Sequence, residues 1–414
     1  MSTPQNLSEI RNAKDAFDWS FDEELGAKLI SKAKALRPLL MEKADEAEAQ
    51  RFMTKEVFDA LKAERLFDLL IPRRLGGLGL SASAMSQILA EISKGDPSAA
   101  WVLQIINGTS WICTLSSDEI QEVLFSNGPI KACGVFAPPG KAKRVDGGYI
   151  VNGEWKYSSG SRQSDWAQMG VLRENEDGSW TPGNFVYMRL SELSIKDTWF
   201  VTGMQATSSD SIVAKDVFVP EHMMVKFEKP FGFKEEGKVN TGAPSDEWPA
   251  VTLLRVTSLG LLVGAAEAAL EFVTDIAAAK PIATTVYQKA QDSQSFRREL
   301  GESSAKIRTA RMIMERGTKA IDAAALEKQP LAPRERAMLK AEGALAVELL
   351  TQAVDRLMFL AGSSAFNKEQ PLQRYWRDLN MGARHIAHHP LVNYELHGAR
   401  LLDIDEDIVM GSAY

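Results

Sequence analysis

From about residue 20, apolar side chains recur at steps of three and four: Leu25, Leu29, Ala33, Leu36, Leu40, Ala44. That spacing places them on one face of a helix. A second helical run, MTKEVFDALKAERLFDLL, has Thr54 placed to cap its start, and SASAMSQILAEIS restarts a helix after the Pro/Gly loop IPRRLGGLGL. Near residue 131 the period shortens. GGYIVNGEWKYSSG, with Gly and Asn-Gly punctuation, predicts a hairpin; AQMGVLRENEDGSWTPGNFVYMRL predicts two strands around Asp-Gly; SIVAKDVFVP predicts another, closed by Pro220. Residues 229–249 are rich in Gly, Pro and charge and read as an exposed connection or flap. From 250 the helical period returns in long runs with short links, the pattern of a helical bundle. The order helices, strands, helices predicts an α+β, mostly α, chain rather than a doubly wound α/β sheet. The expected domains are 1–130, 131–235 and 236–414.

Composition narrows the picture. The chain is 45% apolar and 25% charged, ordinary for a soluble globular protein. A formal net charge of −7 argues against nucleic acid, whose binding needs clustered Lys and Arg. The two cysteines, Cys113 and Cys133, form no C-x-x-C, which disfavours a zinc site or a disulfide framework and fits a reducing, cytoplasmic location. The polar N-terminus has no apolar core of a signal peptide. The most apolar stretch, 251–273, is interrupted by Arg255, Glu267 and Glu271, so it is read as a buried bundle or interface helix and not a membrane span. No G-x-G-x-x-G follows a strand and no P-loop occurs, which disfavours a Rossmann NAD site and a P-loop ATP site.

The candidate chemistry gathers at 381–398, MGARHIAHHPLVNYELHG, which holds His385, His388, His389 and His397, four of the five histidines. Such a cluster is acid–base machinery, a metal site or a solvated helix end. Metal is disfavoured because the Glu of H-E-x-x-H is missing. His385, His388 and His389 share one face if the segment is helical, with Pro390 closing the helix.

Four motifs in order resemble the acyl-CoA dehydrogenase superfamily: LIPRRLGGLGLS, GGYIVNGEWKYSSG, DVFVP and AGSSAFNKEQPLQRYWRD. The likeness spans roughly residues 25–400 and implies an N-terminal helical domain, a small β-barrel or sandwich domain and a C-terminal four-helix bundle. Dehydrogenases of that superfamily carry a Glu-Gly pair about eight residues after the Arg-Asp. Here Arg377-Asp378 is followed at that distance by Ile386, flanked by His385. The R-x-x-F-G clamp on the flavin pyrophosphate has no counterpart around ATTVYQKAQDSQSF. Trp376-Arg377-Asp378 followed by His385 instead resembles the two-component (group D) flavin-dependent monooxygenases. That resemblance implies reduced FAD or FMN, O2 as co-substrate, a C4a-(hydro)peroxyflavin and no metal. It also implies a separate NAD(P)H-dependent flavin reductase, a small aromatic or heteroaromatic substrate, indole-like among the options, and a homotetramer. The competing expectation is an acyl-CoA dehydrogenase-like oxidoreductase with a displaced base.

The same resemblance assigns the residues. His385 is the expected active-site histidine, with His388 beside it. Ser158 and Ser159 meet the isoalloxazine edge, Ser159 with a possible second role at the peroxide; the alternative is a turn serine bonded to its own backbone. Trp199 packs near the flavin, Ser208 contacts its phosphate or is a plain loop serine, and Gly362-Ser363 form a turn that reaches a neighbouring subunit's flavin. Asn107 stands where some members have a second histidine; it can hydrogen bond but cannot take a phenol proton. Trp101, Ile106, Asn107 and Trp111 are expected to wall the substrate, or else to be helix core.

Overall fold

A computed structural model describes residues 19–225, 242–404 and 408. The polar N-terminal stretch and most of the expected connection at 229–249 lie outside the described residues.

Among the described residues, the N-terminal zone folds into six α-helices: α1 (Glu23–Ala35), α2 (Arg37–Gln50), α3 (Lys55–Ala63), α4 (Ala82–Ser93), α5 (Pro97–Cys113) and α6 (Asp118–Leu124). The first apolar run is two helices because Leu36-Arg37-Pro38 breaks it, the proline falling in the first turn of α2 where its missing N–H costs nothing. Thr54 caps α3 by accepting the Val57 N–H, and Ser81 caps α4 through the Ala84 N–H.

Seven strands form one sheet in the order β5-β6-β2-β1-β3-β4-β7: β1 (Ala132–Val145), β2 (Gly148–Trp155), β3 (Trp166–Glu174), β4 (Trp180–Arg189), β5 (Ser194–Lys196), β6 (Ser211–Pro220) and β7 (Met224–Val225). The structure corrects the hairpin. The turn is Asp146-Gly147 between β1 and β2, while Asn152-Gly153 lies inside β2 at a register shift. The Trp155 ring occupies the space beside Gly140 and Gly153, so those glycines answer to close approach and not to a turn.

The C-terminal zone contains α7 (Ala250–Ile276), α8 (Gln294–Leu326), α9 (Pro333–Ala361), α10 (Pro371–Ala383) and α11 (Pro390–Leu401). Helix α7 is the apolar stretch; its carbonyl-close glycines, Gly260 and Gly264, press against the Ser86 and Ala90 backbone of α4. It is a core helix joining the two helical zones within one chain. Of the window apolar enough to span a membrane, 78% is buried inside the molecule.

Candidate active site

Helix α10 ends at Ala383, so the histidines do not continue it. His385 starts a short 3-10 turn, Ile386–His388, and His389 precedes α11. This corrects the shared helix face: His385 opens the turn exposed, and His388 closes it buried. The His385 Nδ1 accepts the Ala387 N–H at 3.3 Å. In the neutral ring the proton therefore resides on Nε2. His385 is open to solvent, yet enough protein surrounds it to lower its pKa by desolvation, with the Arg255 charge adding to the effect.

His388 is buried, and its Nε2 lies 3.0 Å from the Ser258 Oγ. Ser258 donates its own proton to the Arg255 carbonyl, so His388 donates to Ser258 as the neutral Nε2–H tautomer. Desolvation, then the charges of His385 and Arg255, push its pKa down to about 3. It is thus a neutral support for the turn at working pH, which corrects its expected acid–base role. Asn393 extends the support, accepting from the Arg255 Nη1 at 3.2 Å and donating to the Ala387 carbonyl at 3.3 Å. Arg255 is half-buried, and desolvation lowers its pKa to about 10.

Trp101, on α5, joins the histidine turn to the β domain. Its ring meets His385 edge-on, centroids 5.3 Å apart, and its Nε1–H donates to the Ser159 Oγ at 3.0 Å. Ser159 lies 2.7 Å from the Ser209 Oγ, which lies 2.7 Å from the Thr207 Oγ1. Three zones of the chain therefore meet at one constellation: Trp101, Ser159 and His385.

Other expected residues fall elsewhere. Asn107 is fully buried; its amide donates to the Leu66 and Leu103 carbonyls and its oxygen accepts the Leu69 N–H at 2.8 Å. Both amide protons are committed to backbone, so Asn107 ties the 66–69 segment to α5 and does not face a substrate. Trp111 is equally buried, donating to the Ser245 carbonyl and packing on Trp248; it is core. Ile106 has no exposed surface and packs beneath Gly160. Ser158 donates to the Trp155 carbonyl, and the backbone N–H groups of Ser158, Ser159 and Gly160 all bond within the protein. That turn offers a ligand the Ser159 hydroxyl but neither Ser158 nor a free amide. Ser208 is buried with its Oγ on the Gln163 Oε1, 2.7 Å away, so it is not a phosphate contact; its left-handed backbone (φ 44°) turns Ser209 toward Ser159 instead. Gly362 and Ser363 cap α9 on an exposed turn, with no described contact to Trp101, Ser159 or His385.

Trp199 is buried beside this constellation, donating to the Met204 carbonyl at 2.9 Å and meeting Tyr157 edge-on. Its loop is held by two carboxylates, Asp210, which no motif singled out, and Asp378, which the motif contained without a role. Asp210 accepts the Thr198 and Trp199 N–H groups and the Arg162 Nε; Asp378 accepts the Met204 N–H at 2.6 Å. Burial, with Glu48 and Asp96 nearby, raises the Asp378 pKa to about 7. Arg374 and Arg377 both pair with Glu48. Among the described residues, no group of three or more His, Cys, Asp or Glu is arranged to hold a metal ion.

The fold and this junction define a chain of acyl-CoA dehydrogenase architecture with a histidine, His385, where its three zones meet. Residues 33–125 match the family model "Acyl-CoA dehydrogenase, N-terminal domain", and 257–390 match "Acyl-CoA dehydrogenase, C-terminal domain". The flavin-dependent monooxygenase oxygenase subunit HsaA of Rhodococcus jostii (strain RHA1) is 30% identical over 372 residues, 88% of this chain and 95% of that protein. The indole-3-acetate monooxygenase of Pseudomonas putida is 28% identical over 342 residues, 82% of this chain and 85% of its own. Among solved structures, XiaF from Streptomyces sp. in complex with FADH2 and glycerol superposes with a TM-score of 0.88 at 29% identity, covering 94% of this chain and 98% of that one. The chain belongs to the flavin-dependent monooxygenase oxygenase components of the acyl-CoA dehydrogenase superfamily, which use reduced flavin.

Proposed function

We propose that this chain takes reduced FAD or FMN from a separate NAD(P)H-dependent reductase, consumes O2 and oxygenates a small apolar aromatic or heteroaromatic substrate. One oxygen atom enters the substrate; the other leaves as water with two electrons from the reduced flavin. The observation that carries this reading is the placement of His385 edge-on to Trp101, whose indole N–H reaches Ser159, where three zones of the chain meet. Aromatic chemistry is supported by relatives whose names specify indole-3-acetate and resorcinol.

The residues present fit a planar heterocycle. Ser159 keeps one lone pair outside its own network, His385 has its Nε2–H available, and the half-buried Trp101 edge lies between them. Bound reduced flavin supplies the electrons that activate O2. With Nδ1 engaged by the Ala387 N–H, the neutral His385 would present its Nε2–H as a hydrogen-bond donor to the bound reduced flavin and its oxygen. Desolvation, then the Arg255 charge, favours the neutral ring. Trp101, with core side chains such as Ile106 behind the Ser159 turn, keeps water from one wall.

The test mixes anaerobically reduced FAD or FMN with the protein and then admits O2. Flavin oxidation slower than that of free flavin, with aromatic product formed, is the expected result. Oxidation at the free-flavin rate overturns the proposal, as does bleaching of bound oxidised flavin by an acyl-CoA. The assembly we propose is a homotetramer; in support, the C-terminal helices and turns expose Phe359, Phe366, Ile386, Leu391 and Leu402.

A further inference from the structure

We propose that Thr207 and Ser209 are positioning residues that fix Ser159 as a hydrogen-bond acceptor, so that the site selects the reduced over the oxidised flavin ring. This rests on the reading of Ser159 as a flavin contact. The polarity follows from counting protons along the chain of hydroxyls. A carbonyl cannot donate, so the 2.9 Å contact between the Thr207 Oγ1 and the Met204 carbonyl uses the Thr207 proton. The 2.7 Å contact between Thr207 and Ser209 must then use the Ser209 proton, and the 2.7 Å contact between Ser209 and Ser159 must use the Ser159 proton. Trp101, which can only donate, supplies an N–H to the Ser159 oxygen at 3.0 Å. Every proton in the row points along it toward the Met204 carbonyl. What Ser159 has left is one lone pair.

The neighbouring serines do not share this arrangement. Ser158, Ser161 and Ser164 donate to the Trp155, Ser208 and Gly160 carbonyls. Ser159 alone in this turn has its hydroxyl tied to a row of other hydroxyls. The row is buried, where an unmatched polar contact is costly and where aligned hydroxyls reinforce one another. The far end is itself anchored: the Met204 carbonyl also takes the Trp199 Nε1–H, and the Met204 N–H is held by Asp378.

The central ring nitrogen of a flavin, N5, bears a lone pair when oxidised and an N–H when reduced. A fixed acceptor welcomes the N–H and opposes the lone pair. The hydroxyl row thereby converts a residue that is ambivalent by chemistry into a sensor of redox state, without a charged group. Product flavin, once oxidised, loses this contact and is released to the reductase.

Anaerobic titration of the full chain with oxidised and reduced flavin tests this by the ratio of the two dissociation constants. Ser209→Ala frees the Ser159 hydroxyl to rotate, and Thr207→Val leaves Ser209 free to donate to Ser159. Both should narrow the preference for reduced flavin, by about tenfold for one reversed hydrogen bond. Ser209→Thr and Thr207→Ser keep the hydroxyls and should keep the ratio. Thermal melts beside each titration confirm that the variants are folded. If Ser159→Ala shifts the ratio while Ser209→Ala and Thr207→Val do not, the hydroxyl row has no orienting role and the inference is overturned alone. If Ser159→Ala changes neither affinity, Ser159 does not meet flavin, and the site reading falls with it.

Discussion

At the scale of single residues, the same side-chain types serve chemistry or packing according to where their hydrogen bonds go. Asn107 and Ser208 matched a pattern by position, yet each has its polar atoms bound inside the protein. Ser209, adjacent in sequence, is the residue whose hydroxyl reaches Ser159. Nothing in the run TSSDS distinguishes Ser208 from Ser209; the left-handed backbone at Ser208 does. His385 was singled out by its spacing after Trp376-Arg377-Asp378, and the structure sets it beside Trp101. His385→Ala should reduce product yield about 10²-fold, with a smaller loss in flavin affinity; equal losses in a combined turnover and binding measurement would make it structural. Its pKa is lowered, so the neutral form persists through the ordinary histidine range near 6.5. The acid limb of kcat/KM should lie below that range, and a limb above 7 would contradict the assignment. His388 bears on stability instead. Its folded pKa of about 3 lies below the unfolded ~6.5, so the unfolded chain takes up a proton that the folded one refuses. Stability is lost as pH falls through that window, by about 1.4 kcal/mol per pH unit for this group. His388→Gln keeps a donor for Ser258 and should flatten the Tm–pH curve relative to the parent between those values.

Secondary-structure elements were readable where one face is buried and hard to read where backbone approach sets the rule. Helical periodicity located the long helices, and Thr54 was recognisable as a cap. Strand β1 was hidden because Pro138, Pro139 and Gly140 interrupt its alternation, and its pairing with β3 shifts register between Val135 and Gly140. Helix α7 was recognisably buried, but its partner was not. The structure shows that Gly260 and Gly264 let it touch the α4 backbone, where a Cβ at Gly264 would lie 2.1 Å from the Ala90 carbonyl oxygen. Gly264→Ala should therefore destabilise the protein by about 1–3 kcal/mol despite better helix propensity. Gly301, on α8 with nothing near its missing Cβ, is the control: Gly301→Ala should stabilise by ~0.5–1 kcal/mol. Chemical denaturation of the two variants decides; equal effects would mean the close contact is absent in solution.

For the molecule as a whole, the site exists because three zones converge. Helix α5 brings Trp101, the β domain brings Ser159, and the turn after α10 brings His385. Asp378 on α10 ties that helix to the Trp199 loop, and Phe52 makes a bridge to Thr207 from the N-terminal zone. The apolar side chains exposed on the C-terminal helices extend the argument past one chain. Sedimentation or light scattering should give a mass near four chains; a monomer at micromolar concentration would contradict the proposed tetramer.

The sequence by itself determined the order of helices, strands and helices and the superfamily, because these are written in local periodicity and in the order of four motifs. Only the tertiary structure decided that Asn107, Ser158 and Ser208 are internal braces, that His388 is a neutral support, and that a row of hydroxyls ends at Ser159. The physical reason is that a polar side chain's role depends on which partners remain unsatisfied around it. Those partners come from segments far apart in the chain, whose meeting no local pattern encodes.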